Sequence, residues 1–141
     1  MLVQNSAVLT KNREVNHSVA GEMVRSGMCS LTGESTPDRA WKSLFKSKDV
    51  VGIKVNGLGG KQIATHFGVV KAVVSGLKSA GISEENIIIW DRLTKELKSA
   101  GYTINKSDKG VKCFGTDTNY DPYPEIVGSI GSCFSTIISS Y

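Results

Sequence analysis

The sequence predicts an α/β domain: a small open parallel sheet preceded by a helical lead-in. Three observations predict it. The β-branched run Asp49–Asn56 is followed by a glycine turn and an amphipathic helical pattern; Ile87–Trp90 repeats that arrangement; Val111–Phe114 supplies a third apolar run. Strand, helix, strand, helix, strand is the order a parallel sheet requires, because parallel neighbours need a crossover between them. The 141 residues suit a single domain, and 40% apolar with 21% charged residues suffices for a core. That composition excludes a disordered polyelectrolyte, a collagen, a coiled coil and a disulfide-knotted scaffold.

Taken in order, Ala7–Leu9 reads as a short edge strand. Residues 13–47 form the lead-in. Val19, Met23, Val24, Met28 and Leu31 recur at helical spacing from His17, and Gly33 stops that helix. Thr36–Pro37–Asp38 opens a second helix: threonine caps, proline fits the first turn, and aspartate complements the dipole. This helix runs to about Lys46 and buries Ala40, Trp41, Leu44 and Phe45. Residues 48–116 hold the βαβαβ core, a Rossmann-like arrangement with right-handed crossovers. Its first strand, without clean alternation, reads as covered on both faces. Thr65 caps a helix to about Ala80 whose Phe67, Val70, Val73, Val74 and Leu77 face inward, with Gly81 ending it. Asp91 caps a shorter helix with Leu93, Leu97 and Ala100 on its apolar stripe and Gly101 at its end. Residues 117–141 are an acidic, turn-rich tail, with one more short element at Cys133–Ser139. Three strands make a thin sheet. Either the amino-terminal strand joins it, or a second copy does, or the chain belongs to a longer protein, which is the reading adopted.

Net charge is +4, with all 17 basic residues and 10 of the 13 acidic ones before residue 117. A basic body attracts anions. Nucleic acid is not expected, because no basic stretch is interleaved with aromatic residues. Cys29, Cys113 and Cys133 stand far apart and odd in number, without the spacing of a disulfide framework or iron–sulfur cluster. They read as small buried hydrophobes in a reducing compartment. No basic residue precedes Lys11 and no apolar run approaches the ~20 residues of a membrane span. The expected setting is cytoplasmic, with no membrane partner.

In an open parallel sheet, ligands bind beyond the carboxyl ends of the strands, where loops and helix starts converge. That rule selects Lys54, Asn56 and the loop Gly57, Leu58, Gly59, Gly60 from strand one. It adds Thr65 and His66 at the next helix start, Asp91 and Arg92 from strand two, and Thr116 and Asp117 from strand three. Lys54 interrupts an apolar strand. It is either an anion clamp or catalytic amine, or a side chain that leans into water or pairs with Asp91. His66, in a first helical turn, is kept neutral by the dipole and able to act as a base; an ordinary surface histidine is the plain alternative. Asp91 has an ordinary account as a helix cap. Lys54, His66 and Asp91 are nevertheless the candidate catalytic groups, because independent arguments bring them to one rim. Asn56, Gly57, Gly59, Gly60, Thr65 and Arg92 are the candidate ligand-binding groups. The glycine loop fits neither phosphate fingerprint: position 62 is Gln62 where a dinucleotide motif has glycine and a P-loop has Ser or Thr. No metal site is assigned, since His17, His66 and the cysteines lack ligand spacing, and no cofactor is assigned.

The stretch Ala40–Trp41–Lys42–Ser43–Leu44–Phe45, the blocks Val51–Gly52–Ile53–Lys54–Val55–Asn56 and Thr65–His66, then Ile88–Ile89–Trp90–Asp91–Arg92 and Glu96–Leu97–Lys98–Ser99–Ala100–Gly101–Tyr102 belong together. They resemble the family called domain of unknown function 362. The resemblance covers about Leu31 to Asp117. It implies a shortened or fragmentary member, because the family's later N-x-P and K-x-H block does not follow, and it carries no established reaction. Lys54, Asn56, Thr65, His66, Asp91 and Arg92 match its motif residues. The family tends to place Pro and Glu after the histidine, where this chain has Phe67 and Gly68.

The function expected is binding of a small anionic ligand at the carboxyl ends of the strands, with the reaction unassigned. The alternative is a non-catalytic, truncated interaction or assembly module that forms a homo-oligomer through an open sheet edge.

Overall fold

Three parallel strands form the centre of the molecule: β1 (Val51–Lys54), β2 (Ile87–Asp91) and β3 (Lys112–Gly115), side by side in chain order. The register runs from Val51 opposite Ile87 to Lys54 opposite Trp90, and from Ile88 opposite Lys112 to Asp91 opposite Gly115. The computed structural model describes residues 1–12 and 14–117, with the backbone of 125–127 and 130–132. Two helices, α1 (His17–Thr32) and α2 (Pro37–Leu44), precede the sheet. The crossover from β1 to β2 carries α3 (Phe67–Ser79), and that from β2 to β3 carries α4 (Thr94–Ser99). The small α/β fold read from the sequence is therefore the fold observed.

Local chemistry accounts for the lead-in. The Asn16 side chain accepts from the Ser18 and Val19 amides at the start of α1, and Gly33, at a φ of 74°, closes it by donating to the Cys29 carbonyl. Thr36 accepts from the Arg39 amide, with Pro37 at the first position of α2 and Asp38 in its first turn. Two expectations fail here. The helix α2 stops at Leu44, which is exposed, while Phe45 leaves the helix and stacks on Trp41 with ring centroids 5.7 Å apart. Residues Ser6–Val8 form a 3₁₀ turn capped by Asn5 in place of the edge strand read at Ala7–Leu9; only a single bridge joins Leu9 to Val15.

Alternate residues of the strands meet the helices. One cluster sets Trp41, Leu77, Ala80 and Ile82 against Ile87, with Val24 and Met28 of α1 packed on it. The other joins Val55, Val70, Ile89, Leu97, Tyr102 and Cys113. Trp41 lies flat on Gly76, where any Cβ would strike the indole ring; that contact sets how closely α2 approaches α3. On the opposite side of the sheet Ile88, Lys112 and Phe114 are buried, whereas Gly52 and Lys54 are exposed. So β2 and β3 are covered on both faces, and β1 is not. Among the described residues it is an outer strand with one neighbour, and its two outward positions hold a residue without a side chain and a lysine. Phe67, read as inward, is also half exposed, with its ring edge-on to Tyr102 at 5.8 Å.

In the carboxyl-terminal tail, β4 (Glu125–Val127) and β5 (Ile130–Ser132) pair antiparallel, which the turn-rich reading did not anticipate. From residue 118 to 124 the stretch read as turn-rich, and the element read at Cys133–Ser139, lie outside the described residues.

Candidate functional site

The parallel register brings the tips of β1 and β2 together, and the tips carry charge. Lys54 Nζ sits 2.7 Å from Asp91 Oδ1 and donates to the Val55 carbonyl at 2.6 Å. The same ammonium lies 5.7 Å from the centroid of the Trp90 ring, which spreads over Gly52 on the outward side. The Asp91 side chain is only 6% exposed; that of Lys54 is 50% exposed. Lysine is tolerated in this strand because its stem follows the open side and its charge is half in water.

Asp91 does not cap a helix. Its Oδ2 accepts from the Gly57 amide at 2.6 Å, its Oδ1 from the Arg92 amide at 2.8 Å, and α4 begins three residues later with Leu93 ahead of it. Burial alone would push this carboxyl up. The Lys54 ammonium and the two amides outweigh burial and hold it below the ordinary aspartate range. An ionised carboxylate engaged by three donors is suited to holding a loop and a lysine in place rather than to taking up a proton. Gly57 is required where it stands, since a Cβ there would lie 2.9 Å from the Glu96 carbonyl carbon and 3.1 Å from Asp91 Oδ2.

Thr65 also departs from its expected role. The start of α3 has His66 at its cap position with no side-chain cap, while Thr65 closes the glycine loop against strand one. Its hydroxyl accepts from the Asn56 amide at 2.9 Å and its own amide donates to the Asn56 carbonyl at 2.9 Å. Tyr102 completes the closure by donating to the Thr65 carbonyl at 2.7 Å. Burial raises that phenol to about 12, so it stays a donor throughout the ordinary pH range. Within the loop, Asn56 accepts from the Leu58 amide, and Gly60 donates to the Gly57 carbonyl. Gly59 and Gly60 take left-handed conformations at φ 85° and 68°.

The structure thus joins Lys54, Asp91, Asn56, Gly57, Gly60 and Thr65 in one connected rim. Two predicted residues stand aside. His66 is exposed, and among the described residues no hydrogen bond or ion pair links it to Lys54 or Asp91. Arg92 points away into an ion pair with Glu96 at 2.9 Å. At the tip of β3, Asp117 accepts from the amide and hydroxyl of Thr94, the first residue of α4, at 3.2 and 2.9 Å. Burial raises the Asp117 carboxyl, and those bonds, outweighing it, lower it overall. Sequence reasoning missed Tyr102 and Thr94. A tyrosine directly after the helix-ending Gly101 was the available sign for the first, and nothing local marked the second.

Among the described residues no group of three or more His, Cys, Asp or Glu side chains is placed to hold a metal. Cys29 and Cys113 are free thiols, and burial pushes Cys113 up to about 11. No helix of the described residues is long and apolar enough to cross a membrane.

Comparison with protein-family models, with curated proteins and with solved structures finds no match to this chain.

Proposed function

We propose that the rim at the carboxyl ends of β1 and β2 binds a small anion, with Lys54 as its principal contact. The observation carrying this reading is the division of labour in the ion pair. A buried Asp91, its charge absorbed by two amides and one ammonium, holds a lysine whose side chain remains half exposed at the strand tip. From Lys54 to His66 the chain has a second cation, Lys61, and no carboxylate. Of the six residues that match the motif of domain of unknown function 362, Lys54, Asn56, Thr65 and Asp91 belong to this network, while His66 and Arg92 stand outside it. The half exposure of Lys54 suits an anion that remains partly hydrated.

The assembly-module alternative draws on β1 being an outer strand. A lysine exposed on that strand works against edge-to-edge pairing, so ligand binding is the reading adopted.

Thermal melting with and without 10 mM phosphate tests it. Wild type is expected to gain about 2 °C or more, and Lys54→Met, which keeps the stem and removes the charge, is expected to gain nothing beyond a matched chloride control. Equal gains in both proteins contradict the proposal.

A further inference from the structure

A recess lies in the helical layer, away from the rim. Helices α1, α2 and α3 border a half-open recess of about 350 Å³, within the range of small-molecule sites. Its existence follows from small residues: Gly21 on α1 and Gly68, Ala72 and Gly76 on α3 line it, so the helices meet without filling the space between them.

The side chains around this recess are basic. Arg25 folds back over its own helix, its Nη1 3.3 Å from where a Cβ on Gly21 would stand. His17 lies against Gly68, its Nδ1 2.5 Å from the corresponding position there, and Lys71 of α3 is among the lining residues. Neither Arg25 nor Lys71 forms an ion pair among the described residues, whose ion pairs join other groups. Hydroxyls of Ser18 and Ser75 line the same space, and Asp38 supplies one carboxylate at the α2 wall. Two cations with no ion-pair partner among the described residues, lining one recess, suit an anionic group; hydroxyls and a single carboxylate suit a neutral body bearing hydroxyls.

We propose that this interhelical recess binds a small phosphate monoester, its phosphate on Arg25 and Lys71 and its hydroxyl-bearing body toward Asp38. The site shares no residue with the Lys54 rim and stands whether or not the rim binds an anion. Glycerol phosphate is the probe, with glycerol, inorganic phosphate and sodium chloride at matched ionic strength as controls. Wild type and Lys54→Met are expected to melt about 2 to 5 °C higher with 10 mM glycerol phosphate. The double variant Arg25→Gln, Lys71→Gln, made on the Lys54→Met background so that the rim is silent, is expected to show no such rise, while melting near Lys54→Met without ligand because both side chains are exposed. Equal rises of Lys54→Met with inorganic phosphate reduce the site to a bare anion pocket and overturn the monoester assignment. A rise retained in that double variant, or absent from Lys54→Met, overturns the site itself. Should the double variant fail to fold, amide chemical shifts of the wild-type protein decide: the account expects Gly21, Gly68 and Gly76 to move, and movement confined to Gly57, Gly59 and Gly60 overturns it.

Discussion

Asp91→Ala is expected to lower the unfolding free energy by about 3 kcal/mol, seen as a fall in the urea midpoint at pH 7. Removing one partner of a buried ion pair ordinarily costs about 3–5 kcal/mol. Lys54 is half in water and can be rehydrated, which favours the lower end. The Gly57 amide is buried and loses its acceptor altogether, adding the penalty of an unmade bond. Asp91→Asn, which keeps an oxygen for one amide, is expected to lose roughly half as much. The pH dependence has a definite sign. The folded-state carboxyl titrates below its unfolded value, so its contribution is present above about pH 4 and is lost as pH falls through the lowered native value. The acid limb of stability should therefore flatten in Asp91→Asn. An Asp91→Ala protein as stable as wild type at pH 7 would show that the anchor at the strand tips does not exist.

Gly115→Ala is expected to be at least as damaging, by 3 kcal/mol or about 10 °C and more in melting temperature. At the last position of β3, a Cβ would collide with the Thr94 amide nitrogen and lie 2.6 Å from the Leu93 carbonyl carbon and 2.7 Å from Thr94 Oγ1. These are backbone and near-backbone atoms at the start of α4, held in place by Asp117 and by the hydrogen bond from Gly115 to Thr94. No rotamer change relieves the clash, so β3 must separate from α4. Gly52→Ala is the matched control. Its Cβ would meet only the Trp90 indole, Nε1 at 3.2 Å and Cδ1 at 3.7 Å, on the open side of the sheet, and a loss under about 1 kcal/mol is expected. Circular dichroism melts of the two variants check the contrast; equal losses contradict the close approach at Gly115.

These two positions show where sequence reading reaches and where it stops. Thr36, Pro37 and Asp38 announce a helix start because capping is settled within four residues, and the structure has that start. The parallel core was legible because Ile87, Ile88 and Ile89 are buried whichever face they present. Asp91 and Thr65 satisfy the same local capping rules as Thr36, yet both serve partners elsewhere in the chain: Asp91 the Gly57 amide 34 residues earlier, Thr65 the Asn56 amide 9 residues earlier. A side chain with one strong acceptor takes the tertiary donor when the fold supplies it, and no local pattern reveals that choice. The exposure of Gly52 and Lys54 was equally hidden, since whether a strand is an outer one depends on what pairs beside it. Lys54 meeting Asp91 was foreseeable from strand direction alone, because both residues end parallel strands, whereas His66 and Arg92 shared the rim only in sequence position.

A double-mutant cycle between positions 54 and 91 addresses the whole construction, by urea unfolding of wild type, Lys54→Met, Asp91→Asn and the combined variant at low salt. Side chains 2.7 Å apart at adjoining strand tips should couple by about 1 kcal/mol, with the coupling shrinking in 1 M salt. Losses that add to within a few tenths of a kcal/mol would mean that the two charges never meet, and the rim described here would have to be abandoned.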